Sequence, residues 1–356
     1  MPLVAHTELP TFKRLRLEGQ NVLTPERATH QYIRELHIGL LNMMPDAAIE
    51  ATERQFCRLV GEANPIAQFY LHPFTLKELP RGEKAQAHIN AYYEDFEQIK
   101  REGLDALIIT GANVSHPNLS QEPFWEPLTQ VVDWAYENVT SVLCSCLATH
   151  AVVESHQGQK RTPMAEKLWG VYSHRVVAPH HPLVNDINTR FDVPHSRYNQ
   201  ISRQQFDAAG LQVLAESEQA GVHLAVSADG LRVVYFQGHP EYDTISLLKE
   251  YKREVMLYIA GKRKDYPPYP ENYFSQRTQA IFDEYQEHVD HSLAEDDQLP
   301  EFPEKLVLET LDNTWHDTAE AVIGNWIGLV YQVTHQDRAI PFMRGIDRQD
   351  PLGLRR

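Results

Sequence analysis

Several features are scarce in this 356-residue sequence, and each scarcity excludes a class of protein. Cysteine occurs only three times, an odd number in a long chain, so a disulfide framework is not expected. No apolar run approaches the length of a membrane span, and residues 1–18 lack the pattern of a secretory signal. We therefore expect a cytoplasmic protein that does not associate with membranes.

Basic residues are in the minority. The chain has 33 Lys and Arg against 49 Asp and Glu, a formal net charge of −16. A protein with this balance is not expected to bind nucleic acid through the phosphate backbone. An anionic small ligand would need a local group of cations that opposes the overall sign. Lys167, Arg197 and Arg253 are candidates for that group.

Apolar runs alternate with amphipathic segments along the chain. This alternation predicts an α/β fold with a mostly parallel sheet that helices cover on both faces. In such folds, functional residues collect at the carboxyl ends of the strands. The predicted strands are residues 36–43, 66–71, 104–110 and 141–146, and the predicted helices are residues 47–60, 92–101, 124–137, 147–156 and 244–259.

The linking segments suggest how the chain is divided. A charged loop is predicted over residues 73–88, and short alternating segments between 170 and 236 predict a β-meander at the edge of the sheet. Aromatic helices in the last third leave room for a homodimer, which we expect. The predicted parts are an N-terminal arm (1–35), the α/β domain (36–262), a helical extension packed on the core (263–335) and a loose tail (336–356).

Cys146 lies where the fourth apolar run turns into small, helix-compatible residues. A strand, a sharp turn and a helix together form a nucleophile elbow, and a helix N-terminus favours a thiolate. Cys144, deeper in the strand, and Cys57, on an amphipathic helix, are interpreted as core residues. A metal site that includes Cys146 and His150 is an alternative, but the second pair of ligands typical of structural zinc is missing from the sequence. We expect no bound metal.

A thiolate nucleophile needs a base and a group that orients the base. The segment Gly238-His239-Pro240-Glu241 offers both, because alternate residues of an extended segment project to the same side. His239 is therefore predicted as the general base and Glu241 as its partner.

An oxyanion site is predicted from two turns. Backbone N–H groups of Gly111 and Ala112, which follow the most apolar strand, could point at a reacting carbonyl together with the N–H of Leu147. An ordinary β-to-α turn is an equally good interpretation of residues 110–113 taken alone.

Seven segments, spread over nearly the whole chain, form an ordered set. They are Gly39-Leu40-Leu41-Asn42-Met43-Met44-Pro45, Leu107-Ile108-Ile109-Thr110-Gly111-Ala112, Cys146-Leu147-Ala148, Glu166-Lys167-Leu168-Trp169-Gly170-Val171-Tyr172, Pro194-His195-Ser196-Arg197-Tyr198, Gly238-His239-Pro240-Glu241-Tyr242 and Asn325-Trp326. Taken together and in this order, they resemble the homoserine O-acyltransferases of the MetA type, which share the class I glutamine-amidotransferase-like fold.

The resemblance implies an acyl transfer from acyl-CoA to the γ-hydroxyl of L-homoserine, the first step of methionine synthesis from homoserine. It implies Cys146 as the residue that carries the acyl group. It also implies that Lys167, Ser196 and Arg253 line the substrate pocket, with Arg253 meeting the homoserine carboxylate. A thioester-to-ester exchange of this kind requires no cofactor besides the co-substrate acyl-CoA.

The acyl donor is predicted from one position. Relatives that use acetyl-CoA tend to carry a glutamate a few residues after Thr-Gly-Ala, whereas this chain has Ser115 there. A serine leaves room and adds no negative charge, which favours a succinyl over an acetyl group. Homoserine O-acetyltransferase is the alternative.

Two further readings stay open at this stage. A glutaminase would use the same fold and triad, although the segment around Cys146 lacks the flanking glycines of those enzymes. A non-catalytic binding protein that kept the fold would tolerate loss of Cys146.

Overall fold

The computed structural model describes residues 3–20, 22–29, 33–63, 67–295 and 297–355. The strands are β1 (Leu3–Val4), β2 (Val22–Leu23), β3 (Glu35–Leu41), β4 (Gln68–Phe74), β5 (Ala106–Ile109), β6 (Ser141–Ser145), β7 (Thr162–Val176), β8 (Arg190–Gln200), β9 (Gln212–Ser217), β10 (Gly221–Val226) and β11 (Val233–Phe236). The α-helices are α1 (Pro10–Leu17), α2 (Pro25–Thr29), α3 (Ile49–Glu62), α4 (Glu83–Tyr92), α5 (Phe96–Glu102), α6 (Trp125–Asn138), α7 (Leu147–Gln157), α8 (Arg203–Ala208), α9 (Ser246–Ile259), α10 (Gln276–Glu295), α11 (Glu304–Val307) and α12 (His316–Val333).

The described strands form one sheet in the order β2-β1-β4-β3-β5-β6-β11-β10-β9-β7-β8. Neighbouring strands from β2 to β11 in this order are parallel, and those from β11 to β8 are antiparallel. The predicted α/β fold with a mostly parallel sheet is therefore confirmed. Because β6 lies between β5 and β11 and the three strands are parallel, their carboxyl ends lie next to one another.

Alternate residues of each central strand pack on opposite faces of the sheet. Ala106 and Ile108 belong to a core that includes apolar residues of α1, α3 and α12. Leu107 and Ile109 belong to a second core with residues of α5, α6, α7 and α8. The two-residue period of a strand explains this division, and burial on both faces explains why these strands read as continuous apolar runs.

Two segments differ from the prediction. The loop expected over residues 73–88 is interrupted, because β4 continues to Phe74 and α4 begins at Glu83. Only Ala85 of α4 is buried, so this helix has little apolar periodicity. The helix expected from residue 92 begins at Phe96, where the Asp95 side chain accepts a hydrogen bond from the Glu97 N–H and caps the helix.

The two ends of the chain pack against the sheet. In the described part of residues 1–35, β1 and β2 extend the sheet beyond β4; the predicted strand residue Ile66 lies outside the described residues. At the other end, α12 buries Trp326, whose indole N–H donates to Ser141 Oγ at 2.8 Å. The domain boundaries proposed from composition stay a prediction. Among the described helices, none combines the length and the apolar character needed to cross a membrane.

Several histidines are buried and neutral. Burial lowers the pKa of His174 and of His181 to about 4, and that of His150 to about 3. The pKa values of His195 and His223 lie well below the ordinary value for the same reason. Protonation of any of these rings therefore opposes folding.

Trp326 joins the C-terminal helix to the first residue of β6, so its removal should weaken the core. We expect Trp326→Ala to lower the free energy of unfolding by about 3–5 kcal/mol, because a fully buried indole leaves a cavity. Urea denaturation measures the change. Leu17→Ala, at a side chain with 81% exposure, is the control and should change stability by less than about 0.5 kcal/mol. Equal effects of the two substitutions would refute this account of α12.

Adjacent histidines allow a test of the buried neutral rings. The unfolded chain binds protons at these rings from about pH 6.5 downward, whereas the folded His181 resists them until about pH 4. Its contribution to stability is therefore full above pH 6.5 and is lost as the pH falls. We expect His181→Asn, which keeps an acceptor for the Leu183 N–H, to make the pH dependence of the free energy of unfolding shallower by up to about 1.4 kcal/mol per pH unit in this window. The exposed neighbour His180, changed to Asn, should leave the slope unaltered.

Candidate active site

Cys146 occupies the turn between β6 and α7 with φ 54° and ψ −111°. A residue with a side chain rarely adopts this conformation, which costs on the order of 1–3 kcal/mol and persists only where the surroundings impose it. The Cys146 N–H donates to Phe236 O at 2.8 Å. The Thr149 hydroxyl lies 3.0 Å from Cys144 O and 2.8 Å from Phe236 O, so it ties the first turn of α7 to both strands. The elbow predicted from the sequence is present and is anchored to β11.

His239 and Glu241 follow the end of β11 and form a buried pair. The distance from His239 Nδ1 to Glu241 Oε1 is 2.8 Å, and the Ser145 hydroxyl donates to the same carboxylate oxygen at 3.2 Å. The backbone N–H of His239 donates to Pro194 O at 2.8 Å. These bonds fix the ring with its Nδ1 on the carboxylate, which leaves Nε2 for a reacting group.

The charges around His239 favour its protonated form. Burial alone would lower its pKa, but the Cys146 thiolate and the Glu241 carboxylate, through charge and hydrogen bonds, raise the pKa of His239 well above the ordinary value. The ring also stacks on Tyr242, with 4.3 Å between centroids. Cys146 lies at the N-terminus of α7, where the helix dipole favours an anion. The pair can therefore exist as thiolate and imidazolium.

The turn after β5 lies directly against the elbow. A Cβ atom placed on Gly111 would be 3.6 Å from Cys146 Cβ and 3.9 Å from Leu147 N. Leu147 opens α7, so its N–H has no acceptor within the helix. The Thr110 hydroxyl accepts a bond from Met43 N–H at 2.9 Å and holds the ends of β3 and β5 together. The structure thus places Gly111, next to Ala112, and the Leu147 N–H beside the nucleophile, as an oxyanion site requires.

Lys167 and Ser196, on the paired strands β7 and β8, converge on a carboxylate that the sequence analysis did not identify. Glu250 Oε2 accepts bonds from Lys167 Nζ at 3.0 Å and Ser196 Oγ at 2.6 Å. Its other oxygen accepts from the Tyr242 hydroxyl at 2.8 Å, which links the group to the ring of His239. No motif in the sequence marked Glu250 on α9, because its partners Lys167 and Ser196 lie 83 and 54 positions away in the chain.

The other two predicted cations lie elsewhere. The side chain of Arg253 is 61% exposed and pairs with its neighbour Glu254 at 3.2 Å. Arg197 is buried, and its guanidinium donates to Asn199 O at 2.9 Å and Ala220 O at 2.5 Å. Each of the three cations expected to form a cluster, Lys167, Arg197 and Arg253, therefore has partners of its own within the protein. The role of Arg253 toward a substrate carboxylate stays a prediction.

Ser115 lies in a loop that two charged side chains hold from opposite sides. Its backbone N–H and that of His116 both donate to Glu122 Oε1 at 2.6 Å. On the other side, Arg161 Nη2 donates to His116 O at 3.1 Å and Pro117 O at 3.2 Å. No sequence signal marked Glu122 or Arg161, because neither belongs to a motif with recognisable spacing.

Groups that could ligate a metal occur away from the elbow. Among the described residues, ligand atoms lie within 4.8 Å of one another in two sets: His6, His72 and Glu94, and Glu62, His316 and Glu320. A cleft of about 660 Å³ is lined by residues between 75 and 134, and Cys146, His239 and Glu241 are not among them. Neither feature takes part in the geometry around the thiol.

The three cysteines should differ sharply in reactivity. Cys57 and Cys144 are fully buried, which raises the pKa of both thiols, whereas Cys146 is partly accessible. We expect iodoacetamide to label Cys146 alone in the folded protein, and peptide mass mapping identifies the labelled site. The Cys146→Ser variant should take up no label until it is unfolded in urea. Labelling of Cys144 at a similar rate in the native protein would contradict this arrangement.

Comparisons with known proteins show which family the chain belongs to. Residues 2–336 match the family described as homoserine O-succinyltransferase. The relative from Allochromatium vinosum named homoserine O-succinyltransferase is 66% identical over 99% of both chains, and the one from Nitrosococcus oceani is 65% identical over 100% of this chain and 99% of its own. Among solved structures, a glutamine amidotransferase from Methylobacillus flagellatus is similar at a TM-score of 0.46 and 14% identity, covering 83% of this chain and 95% of that one. The extent and identity of these sequence matches show that the chain belongs to the homoserine O-succinyltransferase family.

Proposed function

We propose that this protein transfers the succinyl group of succinyl-CoA to the γ-hydroxyl of L-homoserine, with Cys146 as the carrier of the acyl group. One observation carries the proposal. In a chain of this family, a cysteine at a nucleophile elbow lies between the Gly111 turn and the buried pair of His239 and Glu241. These are the parts that a covalent acyl transfer needs.

In the first half-reaction, the Cys146 thiolate attacks the carbonyl carbon of the thioester. The backbone N–H groups of Gly111, Ala112 and Leu147 stabilise the oxyanion of the tetrahedral intermediate. The bond to the CoA sulfur then breaks, and the His239 imidazolium gives its proton to the departing thiolate. The acyl group is left on Cys146 as a new thioester.

In the second half-reaction, neutral His239 accepts the proton of the homoserine hydroxyl while the oxygen attacks the acyl-enzyme. Glu241 stabilises the imidazolium that forms and keeps the ring in one tautomer. Collapse of the intermediate releases the ester and restores the pair of Cys146 thiolate and imidazolium. No electrons are exchanged with a redox group, and the absence of a cofactor stays a prediction.

The acceptor is a zwitterion and needs partners of both signs. Glu250 offers a carboxylate to the ammonium, and Lys167 beside it has further N–H donors for the carboxylate. The Ser196 hydroxyl donates to Glu250 and holds that carboxylate in place. Arg253, three positions after Glu250 on α9, is exposed and pairs with Glu254, so its contact with the homoserine carboxylate stays a prediction. The homodimer and the cytoplasmic location expected from the sequence likewise stay predictions.

The acyl-enzyme can be tested without the acceptor. We expect succinyl-CoA to leave a succinyl adduct on the peptide that contains Cys146, detected by mass spectrometry after an acid quench, and acetyl-CoA to react more slowly. Addition of L-homoserine should remove the adduct and yield O-succinylhomoserine. Cys146→Ala should form no adduct, while Cys57→Ala should behave as the wild type. Ammonia release from glutamine without any adduct would instead establish the glutaminase reading.

A further inference from the structure

The proposed reaction leaves one charge of the donor without a partner. A succinyl group carries a free carboxylate two methylenes away from the thioester carbonyl, and a specific site must compensate for removing it from water. The cations of the acceptor group are already engaged, since Lys167 bonds Glu250 and Arg253 pairs with Glu254. A different cation is therefore required on the donor side of Cys146.

Arg161 is the candidate for this cation. It directly precedes β7, and its Nη2 donates to the carbonyls of His116 and Pro117 in the Ser115 loop, which continues from the Gly111 turn. The Gly111 turn contacts Cys146. The guanidinium is thus connected to the nucleophile through one short stretch of backbone, residues 111–117.

The guanidinium of Arg161 has N–H donors to spare for a ligand. Within the described residues, no carboxylate forms an ion pair with Arg161, and its Nε is buried without a hydrogen-bond partner. The bonds to His116 O and Pro117 O use Nη2 and leave other N–H groups of the planar fork available. A buried donor without an acceptor is costly, and an incoming carboxylate would satisfy it.

The electrostatic surroundings agree with this position. Burial lowers the pKa of Arg161, while the charges of Glu154, Glu122 and the Cys146 thiolate raise it. The nucleophile is therefore close enough to Arg161 for its charge to act on the guanidinium. An arginine stays charged under such conditions.

We propose that Arg161 binds the free carboxylate of the succinyl group while its thioester end lies at Cys146. This inference rests on the proposed function. Glu122 accepts hydrogen bonds from the N–H groups of Ser115 and His116. Glu122 and Arg161 therefore hold the same loop. An acetyl group would gain nothing from Arg161.

The test separates charge recognition from support of the loop. Rates of Cys146 acylation are measured in single turnovers with succinyl-CoA and with butyryl-CoA, which has the same chain length but ends in a methyl group. We expect Arg161→Gln to slow succinylation by roughly 10- to 100-fold, the usual effect of losing a charge-assisted hydrogen bond, and butyrylation by less than about 3-fold. Arg161→Lys keeps a point charge, so its rate of succinylation should lie between those of the wild type and Arg161→Gln.

Arg203, an arginine on the surface helix α8 that pairs with Asp207 and Glu216, provides the matched control. Arg203→Gln should leave both rates unchanged. Equal losses with both donors in Arg161→Gln would show that Arg161 only supports the loop, and would overturn the inference. A wild type that accepts butyryl-CoA as readily as succinyl-CoA would also overturn it while leaving acyl transfer intact, whereas a wild type that forms no adduct with either donor would refute the proposed function itself.

Discussion

The positive φ of Cys146 is the constraint on which the site depends, because a strained turn exists only where its neighbours outweigh its cost. The carbonyl of Phe236 supplies much of the restraint, since it accepts bonds from the Cys146 N–H and the Thr149 hydroxyl. Phe236 also ends the strand that leads to His239. One peptide group therefore holds the nucleophile in place and fixes where its base begins, so that the two cannot move independently.

The fold and the reacting residues could be predicted because they follow strong local rules. Strands buried on both faces read as apolar runs, and the elbow is a run that ends at Cys146. The features that could not be predicted from the sequence lie in solvent-exposed or irregular segments of the chain. Helix α4 buries one residue and has no clear period, while Glu250 and Arg161 act through partners that are distant in the chain. Sequence spacing carries no information about such contacts.

The titratable groups of this site are either paired with a partner or kept neutral by burial. Behind His239, the rings of His174, His195 and His223 lie together, with 3.2 Å between the Nε2 atoms of His174 and His195. Burial keeps all three neutral. A charged ring at His195 or His223 would repel the imidazolium of His239. The overall charge of −16 thus says little about the site, where individual carboxylates are matched one by one.

The hydrogen bond between Trp326 and Ser141 has a consequence for the folding of the newly synthesised chain. It joins residues 185 positions apart, and the bond between Thr334 and Asp105 joins residues 229 apart. The strand that carries the nucleophile therefore lacks part of its packing until the segment with Trp326 has been synthesised. A growing chain on the ribosome holds this strand in an incomplete core, and such long closures slow folding. The packing around the thiol site is therefore completed only after α12 has been synthesised.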